Sequence, residues 1–270
     1  ICEQMAAAGL DRSSFVVALG GGVIGDLAGF VAAVYHRGIP WVNVPTTLLA
    51  MVDSSIGGKT GVNTAAGKNL IGAIHHPVAV IADLDTLETL PPREFRQGFA
   101  EIIKHAVIAD AEMLDELQSF DRTKLESLVR RNIEIKTRIV ATDEQDTNGQ
   151  RAILNFGHTV GHAIERAAGY GTFLHGEAIS LGMVAACELS VRKAGLRRAD
   201  ADRVIAALQR FDLPTRLPET VPREAILEAV RFDKKFAEGQ VRFVVAPRLG
   251  FACLTNDISH ADIAAVVAQL

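Results

Sequence analysis

From Arg151 to Glu177 the chain reads RAILNFGHTVGHAIERAAGYGTFLHGE, and three of its eight histidines fall in that stretch. His158 and His162 are four residues apart, and residues at i and i+4 share one face of a helix. Counting by threes and fours from Asn155 gives His158, His162 and Glu165, the spacing that ordinarily carries an apolar stripe. Polar groups set where leucines usually go serve a metal ion or a reaction. Histidines on an interior face can instead be idle core residues, and for a single histidine that reading is the stronger. Here His175 follows in a Leu174-His175-Gly176-Glu177 turn, which favours a metal or acid–base site. A zinc ion that does chemistry takes three protein ligands, commonly His or Glu, and keeps one position open. The candidates are Glu101, His158, His162 and His175, one more than needed, so one group is left for proton transfer. For Glu101 the plainer alternative is an i, i+3 ion pair with Lys104, worth a few tenths of a kcal/mol.

A second set of residues lies earlier. Phe15-Val16-Val17-Ala18-Leu19 is an unbroken apolar run, which predicts a strand buried on both faces of a parallel sheet. Gly20, Gly22 and Gly25 follow in GxGxxG spacing, and Leu27 to Tyr35 reads as a helix. The glycines therefore sit at a strand-to-helix turn, where backbone amides hold phosphate. The match is weak alone, and the acidic residue expected at the end of the next strand is absent, since Trp41-Val42-Asn43-Val44 leads into Pro45-Thr46-Thr47. From Pro45 to Asn69 the chain is dense in Thr, Ser, Gly and Lys, with Lys59 and Lys68 after glycines. Such lysines suit a phosphate or carboxylate, and Leu48, Leu49, Met51 and Ile56 argue for a packed segment over a solvated loop. Pro77–Asp83 reads as one more strand.

These residues need elements to hold them. With 270 residues, 49% of them hydrophobic, the chain can bury a large core and predicts two domains. The expected architecture is an α/β, Rossmann-like NAD-binding domain over 1–88, then a mostly α-helical metal- and substrate-binding domain over 89–270. Helical periodicity marks 93–109, 111–119, 122–142, 155–168, 176–194, 199–210 and 222–231, and Gln240–Ala246 reads as a strand. Lys136 lies in the charged helix 122–142 and reads there as a surface residue. A net charge of −4 gives no reason to expect nucleic-acid binding. Cys2, Cys187 and Cys253 are scattered and odd in number, which suits a reducing cytosol. The apolar run Phe15–Tyr35 is interrupted by three glycines and Asp26, so a buried strand and helix explain it better than a membrane span. A nucleotide-type domain and a helical metal domain, with Lys59, Lys68, Lys104 and Arg151 to attract an anion, predict NAD-linked oxidation of an alcohol on an anionic substrate.

The motifs GGGVIGDLAGF, PTTLLAMVDSSIGGKTGVN, GKNLIGAIHHP, TLPPREFRQGFAEIIKHA, LNFGHTVGHAIE, LHGEA and the late DKK resemble those of the 3-dehydroquinate synthases, within the sugar-phosphate cyclase superfamily. The resemblance runs from about residue 15 to 245. It implies conversion of 3-deoxy-D-arabino-heptulosonate 7-phosphate to 3-dehydroquinate and phosphate, with NAD reduced and regenerated in each turnover and Zn2+ or Co2+ as the metal. It implies Glu101, His158 and His175 as metal ligands and His162 as the proton-transfer residue, with Lys104, Lys59 and Asn155 also catalytic. Substrate contacts are implied for Arg37, Lys59, Asn69, Lys104, Lys136, Arg151, Asn155, His162, Lys234 and Lys235. NAD contacts are implied for Gly22, Val23, Ile24, Gly25, Asp26, Thr46, Thr47, Asp53, Lys59, Lys68, Thr86, Leu87, Glu88 and Thr89. Asp146 stands where the family has Glu, and Gln150 where Leu is usual. The family also has a further N-terminal α/β stretch, so part of the NAD site is expected to come from residues ahead of Ile1. Cytoplasmic location, a sugar-phosphate substrate, no nucleic-acid or membrane partner and room for a homodimer complete the expectations. The rivals are another sugar-phosphate cyclase, a metal-dependent glycerol or alcohol dehydrogenase of similar architecture, and an inactive interaction module.

Overall fold

The computed structural model describes residues 1–64, 67–147, 149–169, 171–231, 236–237 and 240–270, with only the backbone for 67–69, 236–237, 240 and 241. In chain order the elements are α1 (Cys2–Ala7), β1 (Val16–Gly20), α2 (Gly22–Val34), β2 (Trp41–Pro45), β3 (Lys59–Thr64), β4 (Gly67–Ile74) and β5 (Ala79–Val80). There follow α3 (Pro92–Ala109), α4 (Ala111–Gln118), α5 (Leu125–Ala141), α6 (His158–Ala167), α7 (His175–Lys193), α8 (Arg198–Arg210) and α9 (Arg223–Arg231). The chain closes with β6 (Phe236–Ala237), β7 (Gln240–Arg248), β8 (Phe251–Ser259) and α10 (His260–Val267). Two compact units emerge, one of Ile1–Gly98 with Leu125–Thr147, the other of Phe99–Lys124 with Asn148–Leu270.

In the first unit β1 and β2 run parallel, Val16 opposite Trp41, and β5 pairs parallel with the far side of β2. Parallel neighbours need a crossover, and α2 supplies it. Ala18 of β1 meets Ala32, Tyr35, Ile39 and Trp41 in a small core. The other face of β1 is not buried as its apolar sequence predicted: Phe15, Val17 and Leu19 are 64%, 55% and 64% exposed. Among the described residues α2 covers only the side of Ala18, and a strand is dry on both faces only where something lies on each. Leu48 and Met51 are buried as expected, but the glycine-rich segment after them is not a loop. Residues 59–64 and 67–74 pair antiparallel, Lys59 opposite Ile74, with the Thr60 hydroxyl donating to the Ala73 carbonyl at 2.8 Å. Ahead of this hairpin, Ala50–Ser54 forms a π-helical turn, and α5 packs against it.

In the second unit α7 is buried nearly all round, so it is the central helix of the unit. Glu177 accepts the Leu174 amide at 2.8 Å and so closes the start of α7. Phe99, Phe120 and Phe211 fill another part of the core, Phe99 stacked on Phe211 with centroids 3.8 Å apart. The helix expected from 155 begins only at His158. Gln150–Asn155 form a 3-10 helix, and Gly157, at φ +79°, ends it. A side chain at Gly157 would also strike Met183, its Cβ 2.7 Å from Cγ, so α6 and α7 meet backbone against backbone. Asn155 is therefore not on the histidine stripe of α6. Antiparallel β7 and β8 continue the strand expected at 240–246, and Ser259 and Asp262 cap α10 reciprocally. Among the described residues no helix is long and apolar enough to cross a membrane.

Candidate active site

The second unit gathers the histidines. His158, the first residue of α6, is 8% exposed. Its Nδ1 lies 3.2 Å from the Phe156 carbonyl, which only accepts, so Nδ1 carries the proton and Nε2 the lone pair. That Nε2 is 3.6 Å from Glu101 Oε1, and His175 Nε2 is 3.5 Å from the same oxygen. Lys104 forms an ion pair with Glu101 Oε2, both side chains buried. His162 joins from the solvent side: it is exposed, while His158 and Glu165 on the same stripe are buried. The His162 ring centroid lies 5.2 Å from that of His158 and 5.8 Å from that of His175, and one nitrogen of each histidine lies within 4.8 Å of the others. The stripe thus crosses the edge of the buried face, which puts a solvent-open imidazole beside one that is buried, His158, and one that is half-buried, His175.

The charges follow from these contacts. Burial pushes the His158 imidazolium well below its ordinary range, against the pull of Glu101, so this ring is neutral. For His175 burial acts the same way, but Glu101 and Glu165 outweigh it and raise the pKa to about 9. The cluster presents two Nε2 atoms and one carboxylate oxygen converging on one place, a donor set that suits Zn2+ or Co2+.

The first unit holds a different constellation. Lys136 is 6% exposed, not the surface residue that its charged helix predicted. Its ammonium donates to the Asp53 backbone carbonyl at 2.6 Å and pairs with Asp53 Oδ1 at 2.9 Å. Asp53 is presented by the π-helical turn, and Asp26 by the first turns of α2. Burial raises Asp26 to about 6, Lys136 opposing and Asp53 reinforcing. The glycine turn makes a cradle that a side chain would fill, a Cβ at Gly22 standing 2.9 Å from Ser54 Oγ. Gly25 is buried against Asn43, while Val23 and Ile24 at the mouth are 74% and 44% exposed. Thr47 accepts the Ala50 amide, Thr46 is half-buried, and the Thr86 and Thr89 hydroxyls bond within their own 3-10 turn. Leu87 is core and Glu88 exposed.

Among the remaining expected residues, Lys59 is exposed and ion-paired with Asp146. Arg37 is exposed at φ +64°. In the second unit Arg151 is buried and Asn155 half-buried on the 3-10 helix. Lys234 and Lys235, and the side chains of Lys68 and Asn69, lie outside the described residues. The burial of Lys136 had a signal. Leu125, Leu128, Val129, Asn132, Ile135, Lys136, Ile139 and Val140 form the buried stripe of α5, so Lys136 occupies an apolar position just as His158 does.

Solved structures with this fold include 2-epi-5-epi-valiolone synthase from Streptomyces hygroscopicus subsp. jinggangensis with NAD+ and Zn2+ bound, at TM-score 0.90 and 30% identity. That match covers 99% of this chain and 76% of the other. A 2-deoxy-scyllo-inosose synthase, complexed with carbaglucose-6-phosphate, NAD+ and Co2+, matches at TM-score 0.89 and 29% identity over 99% and 77% of the two chains. A glycerol dehydrogenase from Schizosaccharomyces pombe shares the fold alone, at 0.64 and 13%, over 99% of this chain and 72% of its own. Fold and donor set together define a sugar-phosphate cyclase. Within that class, family models described as 3-dehydroquinate synthase N-terminal and C-terminal match residues 1–97 and 98–236. The 3-dehydroquinate synthase of Nostoc sp. is 48% identical over 270 residues, 97% of this chain and 74% of its own, and that of Nostoc punctiforme 50% over 258, 92% and 71%. The chain belongs to the 3-dehydroquinate synthase family.

Proposed function

We propose that this chain converts 3-deoxy-D-arabino-heptulosonate 7-phosphate to 3-dehydroquinate and phosphate as a carbon–oxygen lyase, with Glu101, His158 and His175 as metal ligands and His162 as the proton-transfer residue. The observation that carries this reading is the convergence of His158 Nε2 and His175 Nε2 on Glu101 Oε1, at 3.6 and 3.5 Å. When bound, the metal supplies Lewis acidity and NAD a hydride acceptor that later returns the hydride.

The side chains around the cluster do the rest. His158 is neutral before any ion arrives and ready to donate its lone pair. Lys104 holds Glu101 Oε2 and leaves Oε1 turned to the two imidazoles. His162, exposed beside them, is placed to exchange a proton with the substrate hydroxyl and then with water. Lys59, Asn69, Lys136, Arg151, Asn155, Arg37 and the Lys234/Lys235 pair match the family's substrate contacts; the lysines and arginines supply the positive charge that a carboxylate and a phosphate require, and the two asparagines neutral amides for hydroxyls. Gly22 to Asp26 and Thr46–Thr47 are the cofactor-holding turn, where the backbone amides at the start of α2 favour a diphosphate.

The test is phosphate release from the heptulosonate phosphate, followed with and without a chelator. Release that is abolished by the chelator, with no net NADH, is expected. Net NADH from a simple polyol without phosphate release would move the chain to the dehydrogenases.

A further inference from the structure

The two histidines proposed as ligands are held differently from behind. His158 Nδ1 meets a neutral backbone carbonyl, that of Phe156, at 3.2 Å. His175 Nδ1 instead faces a carboxylate oxygen, Glu165 Oε1, at 3.7 Å. Glu165 lies in the last turn of α6, its side chain is 4% exposed, and His175 opens α7, so the contact joins the end of one helix to the start of the next. Burying a carboxylate is costly unless a cationic or hydrogen-bonding partner compensates it. The ring of His175 is also the more accessible of the two, 31% against 11% for the side chain of His158, and so has fewer packing contacts to fix its rotation.

We infer that Glu165 is a positioning residue for the metal centre: it receives the Nδ1–H of His175, fixes the tautomer with its lone pair on Nε2, and strengthens that nitrogen as a donor. The inference rests on His175 being a ligand, as proposed above, and adds a residue behind it. At 3.7 Å the pair is just outside hydrogen-bonding range, and a small rotation of the ring as Nε2 takes the ion closes it to about 3 Å. Carboxylates placed behind ligating imidazoles raise their basicity, and removing one weakens metal affinity about 10–100-fold. The proton is not transferred in this role. It stays on Nδ1, shared with Glu165, and only the lone pair of Nε2 is used.

The experiment is a zinc competition titration on the full chain against a chromophoric chelator, with a cobalt-substituted sample for its visible spectrum. Glu165→Gln keeps the size and a weaker acceptor but removes the charge, and is expected to lower zinc affinity about tenfold. Glu165→Leu removes the acceptor altogether and is expected to lower it about a hundredfold, with altered cobalt bands. The thermal midpoint of metal-free Glu165→Gln should stay near that of the parent chain, which separates positioning of the metal from a general loss of packing. His175→Ala is the companion variant. If it retains zinc, the ligand assignment itself fails. If it loses zinc while Glu165→Gln binds within threefold of the parent chain, with unchanged cobalt bands, the role of Glu165 is overturned and the ligand assignment stands. Should Glu165→Leu fail to fold, Glu165→Gln decides alone.

Discussion

Each unit of the molecule buries a carboxylate against a lysine, and the two pairs have opposite fates. Glu101 and Lys104 come from one turn of α3, and the lysine takes only Oε2. Oε1 is left facing two imidazoles. Asp53 and Lys136 come from segments 83 residues apart, and the lysine takes both the carbonyl and the carboxylate of Asp53. What remains there is Asp26, a second acid pushed up to about 6. In water the pairs would be alike, each worth little. Away from bulk water they differ by what stands beside the carboxylate: two imidazoles that can share a metal in one case, a second acid whose pKa burial raises in the other.

The sharpest way to break this contrast is to remove histidines one at a time. His158→Ala should cost zinc affinity about a thousandfold or more, since three ligands fall to two. His162→Ala should keep zinc and lose about 10²–10⁴ in rate, the range of a general acid–base group. Metal analysis after desalting, set beside phosphate release, reads both, and equal loss of zinc in the two variants would overturn the division of roles.

Next in size is the pH dependence of metal loading. In the metal-free chain His175 holds its proton up to about pH 9, and zinc must displace it. Zinc affinity should therefore rise about tenfold per pH unit between 7 and 9 and then level, with no contribution from His158, already neutral. A flat profile in a competition titration would deny that His175 is a ligand.

The first unit gives smaller effects. Asp26 has a folded pKa above its ordinary 3.8, so the folded state binds the proton more tightly. The stability it contributes is full below 3.8 and is lost as pH rises through 6. Asp26→Asn should accordingly gain about 2 kcal/mol at pH 7.5, some 4–8 °C in Tm, and little near pH 4. Smallest is Asp146→Ala. Its partner Lys59 is 59% exposed, and loss of such a pair should move stability by less than about 1 kcal/mol in a denaturant titration.

How far the sequence could be read differs between the units for a physical reason. Helices of the second unit follow from local periodicity, and α3, α7 and α8 start and stop within a residue of the expected bounds. The hairpin of β3 and β4 does not follow from local pattern, because Gly57, Gly58 and the following threonines look like a loop until a distant segment pairs with them. The 3-10 segment at Asn155 escaped for a similar reason. Only the close approach of α7 shows why Gly157 must break the helix there. Within the site, polar groups on an apolar stripe betrayed the histidines, and the same rule applied to α5 would have found Lys136. Glu165 stood on the stripe but had no role until the fold placed His175 beside it.

The contact between Gly157 and Gly182 has a consequence for how the ion is acquired. A Cβ at Gly182 would stand 2.0 Å from the Gly157 carbonyl oxygen, so the chains of α6 and α7 touch directly one residue before His158 and two turns beyond His175. The spacing of the main chain that carries the two imidazoles is thus gauged by backbone contact, as a calliper is by its jaws, and only the ring rotations are left to adjust. Loading then orders little that was not already ordered, unlike the folding of a zinc finger around its metal.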